Sequence, residues 1–393
     1  MKISNTVQWV GKIDWDLRKF HGSEYSTFYG STYNSYLVRD EKTALIDTVW
    51  APYAREYVRH LSSLIDLESI DYVIAPHAEI DHSGGLPELM RHIPDKPVFC
   101  SPRGVDSLRG HFHQDWNFQP VKTGDRLSLG SRELIFVEAP MLHWPDNMFC
   151  YLTEEAILFS NDAFGQHLAS EQLYNDLVDQ DLLFRECMKY YANILNPFSV
   201  QVEKKIKELL AMQLPISIIC PSHGVIWREK PLQIVDRYRE WAGAYREDQV
   251  SIVYDTMWEG TRRMAESIAA GIHEAAPLTE IKLLNSSKTD KNEIITEIFR
   301  SGTVLFGSPT INRGILTSMA GLLEEVRGLK FRGKKAAAFG CYGWSGEGVG
   351  ILSDALRDAG FELVSEGLRV LWNPDRESLE ECVQYGRKLA ADI

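Results

Sequence analysis

The sequence predicts two α/β domains in tandem. Residues 1–247 read as a sandwich of sheets covered by helices, and residues 248–393 as a doubly wound parallel sheet. Three observations carry this. At 393 residues the chain is too long for one ordinary domain. Up to about residue 245, many short apolar segments are split by Gly, Pro, Asn and Asp, as strands at regular spacing are. From residue 250 onward, strand-like and helix-like stretches alternate with short connections, the pattern of successive βα units.

In the first domain the strands fall at 35–37, 43–46, 72–75, 98–100, 134–137, 156–159 and 216–220. Helices are expected at about 52–64 and 203–212, and a last one at 231–246, where Ile234, Tyr238 and Trp241 recur at helical spacing. Glu247-Asp248-Gln249 is a short polar joint, and the boundary is placed there. In the second domain the strands are 250–254, 280–284, 303–306, 335–339 and 362–371. The helices between and after them are 260–274, 291–300, 316–326, 348–359 and 376–391. On such sheets ligands bind beyond the carboxyl ends of the strands.

Charge excludes two classes. Forty-two basic against 55 acidic residues leave a net charge of −13, the wrong sign for a general binder of nucleic acid or anionic membrane. No apolar run reaches the roughly 18 residues that span a bilayer, and Met1-Lys2-Ile3-Ser4-Asn5 lacks a signal-peptide core. A cytoplasmic location is expected. The six cysteines are scattered without a Cys-x-x-Cys pair, so neither a disulfide framework nor a zinc ribbon is expected.

The densest chemistry lies in His77-Ala78-Glu79-Ile80-Asp81-His82, directly after the apolar run Tyr72-Val73-Ile74-Ala75. In extended chain, residues i and i+2 point the same way, so His77, Glu79 and Asp81 face one site until the chain turns. The turn then carries Asp81 or His82 toward a second metal. Three further candidates each follow an apolar strand: His143, Asp162 and His223. Three imidazoles and three carboxylates suffice for two metals with one shared carboxylate. Imidazole with carboxylate suits iron, manganese or zinc, and no thiolate is present to mark a zinc site. A di-iron pair cycling between oxidation states gains most from anionic ligands; zinc cannot cycle.

The segment resembles the His-x-His-x-Asp-His motif of the metallo-β-lactamase fold, with Glu79 at the second His position, the substitution found in flavodiiron proteins. Met141-Leu142-His143-Trp144-Pro145-Asp146, Ser160-Asn161-Asp162-Ala163-Phe164-Gly165-Gln166-His167 and Pro221-Ser222-His223-Gly224-Val225-Ile226-Trp227-Arg228 are similar to that family's other ligand segments. The likeness runs from Trp9 to the C-terminal helix. It implies a metallo-β-lactamase-like αβ/βα sandwich followed by a flavodoxin-like sheet. It also implies one iron on His77, Glu79 and His143, the other on Asp81 and His223, and Asp162 bridging them. By the same resemblance His82 is expected to sit outside the ligand set, and His21 and Tyr190 to line a substrate pocket. Trp144 and Phe164 are expected to restrict water near the site.

The second domain carries the marks of a flavin site. Its first strand runs into Tyr254-Asp255-Thr256-Met257-Trp258-Glu259-Gly260-Thr261, where hydroxyls of Thr256 and Thr261 flank backbone N–H groups at a helix start. That is an anion site suited to phosphate. It resembles the flavodoxin Ser/Thr-x-Thr-Gly-x-Thr loop, with Trp258 and Glu259 in place of the middle Thr and Gly. Glu259 is expected to point to solvent. Two later strand ends add to it: Gly307-Ser308-Pro309-Thr310-Ile311-Asn312-Arg313-Gly314 and Phe339-Gly340-Cys341-Tyr342-Gly343-Trp344-Ser345-Gly346. Ser308, Pro309, Thr310 and Asn312 supply polar backbone and hydroxyls. Gly340, Gly343 and Gly346 permit close backbone approach beside Ser345, and Met257, Gly260, Tyr342 and Trp344 complete the expected FMN set. Aromatic rings there can stack on a flat heterocycle. No Gly-x-Gly-x-x-Gly follows a strand, so NAD and FAD are not expected.

The resemblance implies an oxidoreductase that passes electrons through FMN to two irons, reducing O2 to water or NO to N2O. It further implies a head-to-tail homodimer or a dimer of dimers. The sequence runs no further than the flavodoxin-like part, so a separate rubredoxin is the expected donor, or a deazaflavin as in some archaeal relatives. Two rivals stand beside it. One is a dizinc hydrolase with an accessory flavodoxin domain, which Glu79 disfavours and metal analysis decides. The other is an electron-transfer or gas-sensing module, which steady-state turnover decides.

Overall fold

The structure, a computed structural model, describes residues 1–391. It divides into two compact units: Met1–Tyr190 with Phe198–Arg239, and Tyr191–Pro197 with Glu240–Ile393.

The first unit holds two sheets. One runs in the order Val7–Trp9, Tyr36–Arg39, Thr43–Ile46, Tyr72–Ile74, Val98–Cys100 and Phe118–Pro120. Its first two pairings are antiparallel and the rest parallel. The other runs Arg126–Ser128, Glu133–Glu138, Met148–Leu152, Ile157–Asn161 and Ile218–Pro221, antiparallel except for the last pairing. Alternating residues of both sheets meet in one core, with Val38, Ile46 and Ile74 packed in the cluster that holds Phe136, Cys150 and Phe159. Phe99 stacks on Phe136 with centroids 6.0 Å apart. This is the expected sandwich. The outer helices follow local rules. Ser101 caps Pro102–Phe112 by accepting from the Gly104 N–H, with proline in the first turn. Ala54–Leu64 buries Tyr57, Val58 and Leu61 along one stripe.

The second unit is a parallel sheet in the spatial order Glu280–Asn285, Glu247–Tyr254, Ser301–Gly307, Lys335–Tyr342. Glu362–Leu363 and Leu368–Leu371 both pair with the last of these. Strand order 2-1-3-4-5 is the flavodoxin-like arrangement, and its ligand crevice opens where the order reverses.

Four expectations are corrected. The helix expected at 203–212 begins earlier, at Ser199, and ends at Ala211. The helix expected at 231–246 is Leu232–Ala242, and the polar joint opens the strand Glu247–Tyr254 instead of standing before it. Polar residues there carry strand geometry because Glu247 ion-pairs with Arg300 at 2.7 Å and Gln249 is buried and bonded to Ser301. The compact units divide between Arg239 and Glu240, and 191–197 groups with the second unit. Finally, 362–371 is two strands, broken where Gly367 takes φ +89° and any Cβ would stand 2.5 Å from Val349 Cγ1.

Candidate metal centre and flavin site

Each metal-ligand candidate lies just beyond a strand end, or in the short helix that follows one. His77 follows Tyr72–Ile74, and the chain turns at the short helix Ile80–Ser83, which carries Asp81 and His82. His143, Asp162 and His223 follow Glu133–Glu138, Ile157–Asn161 and Ile218–Pro221 of the other sheet. The structure brings all six together, and His82 with them.

Asp162 divides the cluster. Its Oδ2 lies 3.6 Å from His77 Nε2 and 3.5 Å from His143 Nε2, and both imidazoles lie 3.3–3.4 Å from Glu79 Oε2. Its Oδ1 lies 3.4 Å from His223 Nε2 and 3.0 Å from His82 Nε2. These two imidazoles also face Asp81 Oδ2, at 3.1 and 3.5 Å. Two ligand atoms about 2.1 Å from one ion stand roughly 3.0–3.4 Å apart at tetrahedral to octahedral angles. The spacings therefore describe two cups that share one carboxylate.

The outer faces of the imidazoles are tied down. His77 Nδ1 contacts Asp146 Oδ2 at 3.0 Å, His82 Nδ1 contacts Asp47 Oδ2 at 3.2 Å, and His223 Nδ1 bonds the Thr32 carbonyl at 2.7 Å. Each such contact fixes the ring so that Nε2 turns inward. Asp146 also accepts from the Ala78 N–H at 2.7 Å. Sequence reasoning passed over Asp47 and Thr32, which lie in no motif, and quoted Asp146 only within a segment.

Electrostatics and satisfaction both fit cation binding. Both oxygens of Asp81 and Oδ2 of Asp162 are buried and find no hydrogen bond of acceptable geometry, a costly state for acceptors unless a cation meets them. Burial alone would lower His77 and His223, but the carboxylates outweigh it: Asp146 and Glu79 hold His77 up at about 9, and Asp162 and Asp81 hold His223 there too. Burial would likewise raise Asp162, yet the surrounding imidazoles hold it well below the usual carboxylate range. The pocket selects positive charge.

A cavity of about 350 Å³ opens beside the cups, lined by Phe20, His21, Trp50, Glu79, Asp81 and Trp144 among others. His21 Nε2 lies 3.0 Å from Glu79 Oε1. Trp144 packs edge-on to His77, centroids 5.1 Å apart. Tyr190 is not among the lining residues. It is buried, and its hydroxyl donates to Asp162 Oδ1 at 3.3 Å. Phe164 is also away from the cavity: it packs on Tyr238, centroids 4.9 Å apart, and its carbonyl accepts from Trp227 Nε1.

In the second unit a cavity of about 440 Å³ lies at the carboxyl ends of the strands, within the size range of small-molecule sites. Of the expected flavin residues, Thr256, Met257, Trp258, Gly260, Pro309, Thr310, Tyr342, Gly343 and Trp344 line it. Glu259, Thr261, Ser308, Asn312, Gly340, Ser345 and Gly346 do not. Glu259 is exposed, has left-handed backbone and pairs with Arg262. Ser308 shapes the loop instead, accepting from the Leu316 N–H. Gly340 is needed because a Cβ would meet the Ser308 carbonyl at 2.0 Å. Three lining residues were missed: Cys341, Trp372 and Asn373. The cradle fits a phosphate: Thr256 Oγ1 is buried without a partner, and the helix Gly260–Ala275 begins there.

Fold and sites together define a class: a β-lactamase-type metal domain joined to a flavodoxin domain. The ODP family beta lactamase profile matches residues 32–224 and the Flavodoxin profile residues 252–386. Over 390 residues the chain is 53% identical to an anaerobic nitric oxide reductase flavorubredoxin of Escherichia coli, covering 99% of this chain and 81% of that protein. A protein of the same name from Salmonella typhi is 54% identical over the same shares. Among solved structures, the rubredoxin oxygen:oxidoreductase of Desulfovibrio gigas superposes with TM-score 0.97 at 38% identity, covering 100% of this chain and 98% of that one. The flavodiiron protein of Giardia intestinalis gives TM-score 0.94 at 34% identity, over 99% and 95%. The chain belongs to the flavodiiron protein family. Among the described residues no helix is long and apolar enough to cross a membrane.

Proposed function

We propose that this protein is a flavodiiron nitric oxide reductase, converting two NO, two electrons and two protons into N2O and water. The observation that carries this reading is the pair of cups joined at Asp162, with Glu79 Oε2 set 3.3–3.4 Å from His77 and His143. The flavorubredoxin relatives, named as nitric oxide reductases, favour NO. O2 reduction to water is the second reading, favoured by the likeness to the Desulfovibrio gigas oxidoreductase.

In this reading His77, Glu79 and His143 would hold one iron, Asp81, His82 and His223 would hold the other, and Asp162 would serve both cups. The inclusion of His82 rests on its Nε2 facing Asp162 and Asp81 while Asp47 holds its other nitrogen. The irons supply redox equivalents and Lewis acidity when bound, and FMN supplies electrons one or two at a time. The remaining work belongs to side chains. His21 stands at the cavity wall with its Nε2 on Glu79, placed to hold a proton for the oxygen that leaves as water. Tyr190 donates to Asp162 and orients the shared carboxylate. Phe20, Trp50 and Trp144 give the cavity an apolar wall that admits a small uncharged diatomic and limits water.

We further propose a rubredoxin-type protein as donor and a head-to-tail homodimer, in which the flavin of one chain serves the irons of the other. The test is turnover of iron- and FMN-loaded protein with reduced rubredoxin without oxygen, following NO loss and N2O formation, then the same with O2. Fast NO turnover with slow or inactivating O2 turnover is expected. The reverse pattern would replace NO by O2. Failure with both, despite intact iron and flavin, would remove the reductase reading.

A further inference from the structure

The flavin cavity has an aromatic wall on a loop that carries no flavin motif. Trp372 follows the strand Leu368–Leu371 and lines the cavity together with Trp344 and Tyr342. Its backbone is left-handed, φ +61°, a state that a bulky residue keeps only where its surroundings impose it. Those surroundings are visible. Leu371 pairs with Tyr342 in the sheet, and the Trp372 N–H adds one more bond to the Tyr342 carbonyl at 2.6 Å. The indole then closes over Gly343, where a Cβ would stand 2.8 Å from Trp372 Cζ3. Gly343 is thus needed for the indole to lie where it does.

Core packing does not account for this effort. Trp372 is 61% exposed and Trp344 89% exposed, with ring centroids 6.3 Å apart. The loop after Ser301–Gly307 contributes Pro309 and Thr310 to the cavity, neither of them aromatic. Aromatic surface for a flat ligand therefore comes from Trp258 on the first loop and from the last two strand ends, where Tyr342, Trp344 and Trp372 stand together.

We infer that Trp372 is a flavin-contact residue whose indole packs against the isoalloxazine ring of bound FMN. The inference rests on the FMN reading above and adds to it a residue from the fifth strand's loop. Bringing a flat heterocycle against the indole would bury apolar surface that now meets solvent, and offset stacking of flat rings adds to that burial.

The experiment uses the full chain, freed of flavin and titrated with FMN while flavin fluorescence is followed. Wild type, Trp372→Ala, Trp372→Leu and Trp372→Phe are compared, with circular dichroism and iron content as folding checks. Indole in contact with a flavin quenches its emission. Expected are a Kd raised about tenfold or more and brighter bound flavin for the Ala and Leu variants, with the Phe variant close to wild type in affinity. Unchanged Kd and emission for Ala and Leu would overturn the inference. Equal loss in all three, Phe included, would also overturn it, assigning Trp372 to the loop's backbone alone. If wild type itself takes up no FMN, the flavin reading fails, which is a distinct result. Should the Ala variant not fold, the Leu and Phe pair decides.

Discussion

Asp47→Asn should loosen one iron and leave the other. Asp47 is buried, and both of its oxygens are committed as acceptors. Oδ1 takes the Thr48 N–H at 2.9 Å; Oδ2 takes the Ser222 hydroxyl at 2.6 Å and faces His82 Nδ1 at 3.2 Å. An amide offers only one accepting oxygen, so whichever way the substituted side chain turns, an N–H meets a donor. If the –NH2 faces His82, that ring loses the partner that points its Nε2 at Asp162 and Asp81. Removing such an outer partner typically weakens metal binding 10–100-fold, or about 1.4–2.7 kcal/mol. The effect should fall on the Asp81, His82, His223 cup. The His77, Glu79, His143 cup is oriented by Asp146 and should hold. The assay is chelator competition with iron analysis, using FMN content as the folding control. One labile and one tight iron per chain is the expected result. Two irons held with wild-type affinity would refute the assignment of His82 as a ligand held by Asp47. Equal loosening of both would refute the independence of the cups.

Further predictions follow from the same geometry. Glu79→His should keep two metals but favour zinc, with NO turnover lost by more than about 100-fold, since the redox-stabilising carboxylate is gone; metal analysis of protein grown in mixed metals tests this, and retained iron with activity would count against it. His21→Gln should lower NO turnover roughly 10–100-fold with iron and FMN contents unchanged, and an unaltered rate would remove His21 from proton handling. Lys334→Met should destabilise the second unit by about 2–4 kcal/mol, because the buried Nζ lies 2.6–2.8 Å from the carbonyls of Tyr245, Phe299 and Ser301, and a methionine would leave those acceptors without a donor. Burial pushes Lys334 down to about 7, so the folded state disfavours its proton. Its contribution is thus fullest above the free-lysine value near 10.5 and is lost as pH falls toward 7. Wild type should therefore gain unfolding free energy between about pH 7 and 10 relative to Lys334→Met in urea titrations, and parallel pH curves would refute this.

Much of this protein is written locally. Strand and helix alternation beyond residue 250 depends on short-range periodicity, and it foretold a parallel sheet whose strands and helices, apart from the broken strand at 362–371, begin and end within a few residues of those expected. The His77 to His82 cluster is legible because one strand end and one turn bring its groups together within six residues. His143, Asp162 and His223 could be picked out because each follows an apolar strand, and strand ends gather at one edge of a sheet.

What escaped the sequence depends on neighbours far along the chain. Asp47 is an ordinary loop residue until the fold sets it against His82 and Ser222, 35 and 175 residues away. Tyr190 looks like a pocket residue, but helix packing buries it and turns its hydroxyl onto Asp162. Trp372 has no motif, because its place on the flavin cavity comes from pairing with Tyr342 and from the space left by Gly343. Ligand types and their order are properties of covalent sequence. Which imidazole nitrogen faces inward, and which aromatic ring closes a cavity, are decided by hydrogen bonds and packing between segments that only the folded chain brings into contact.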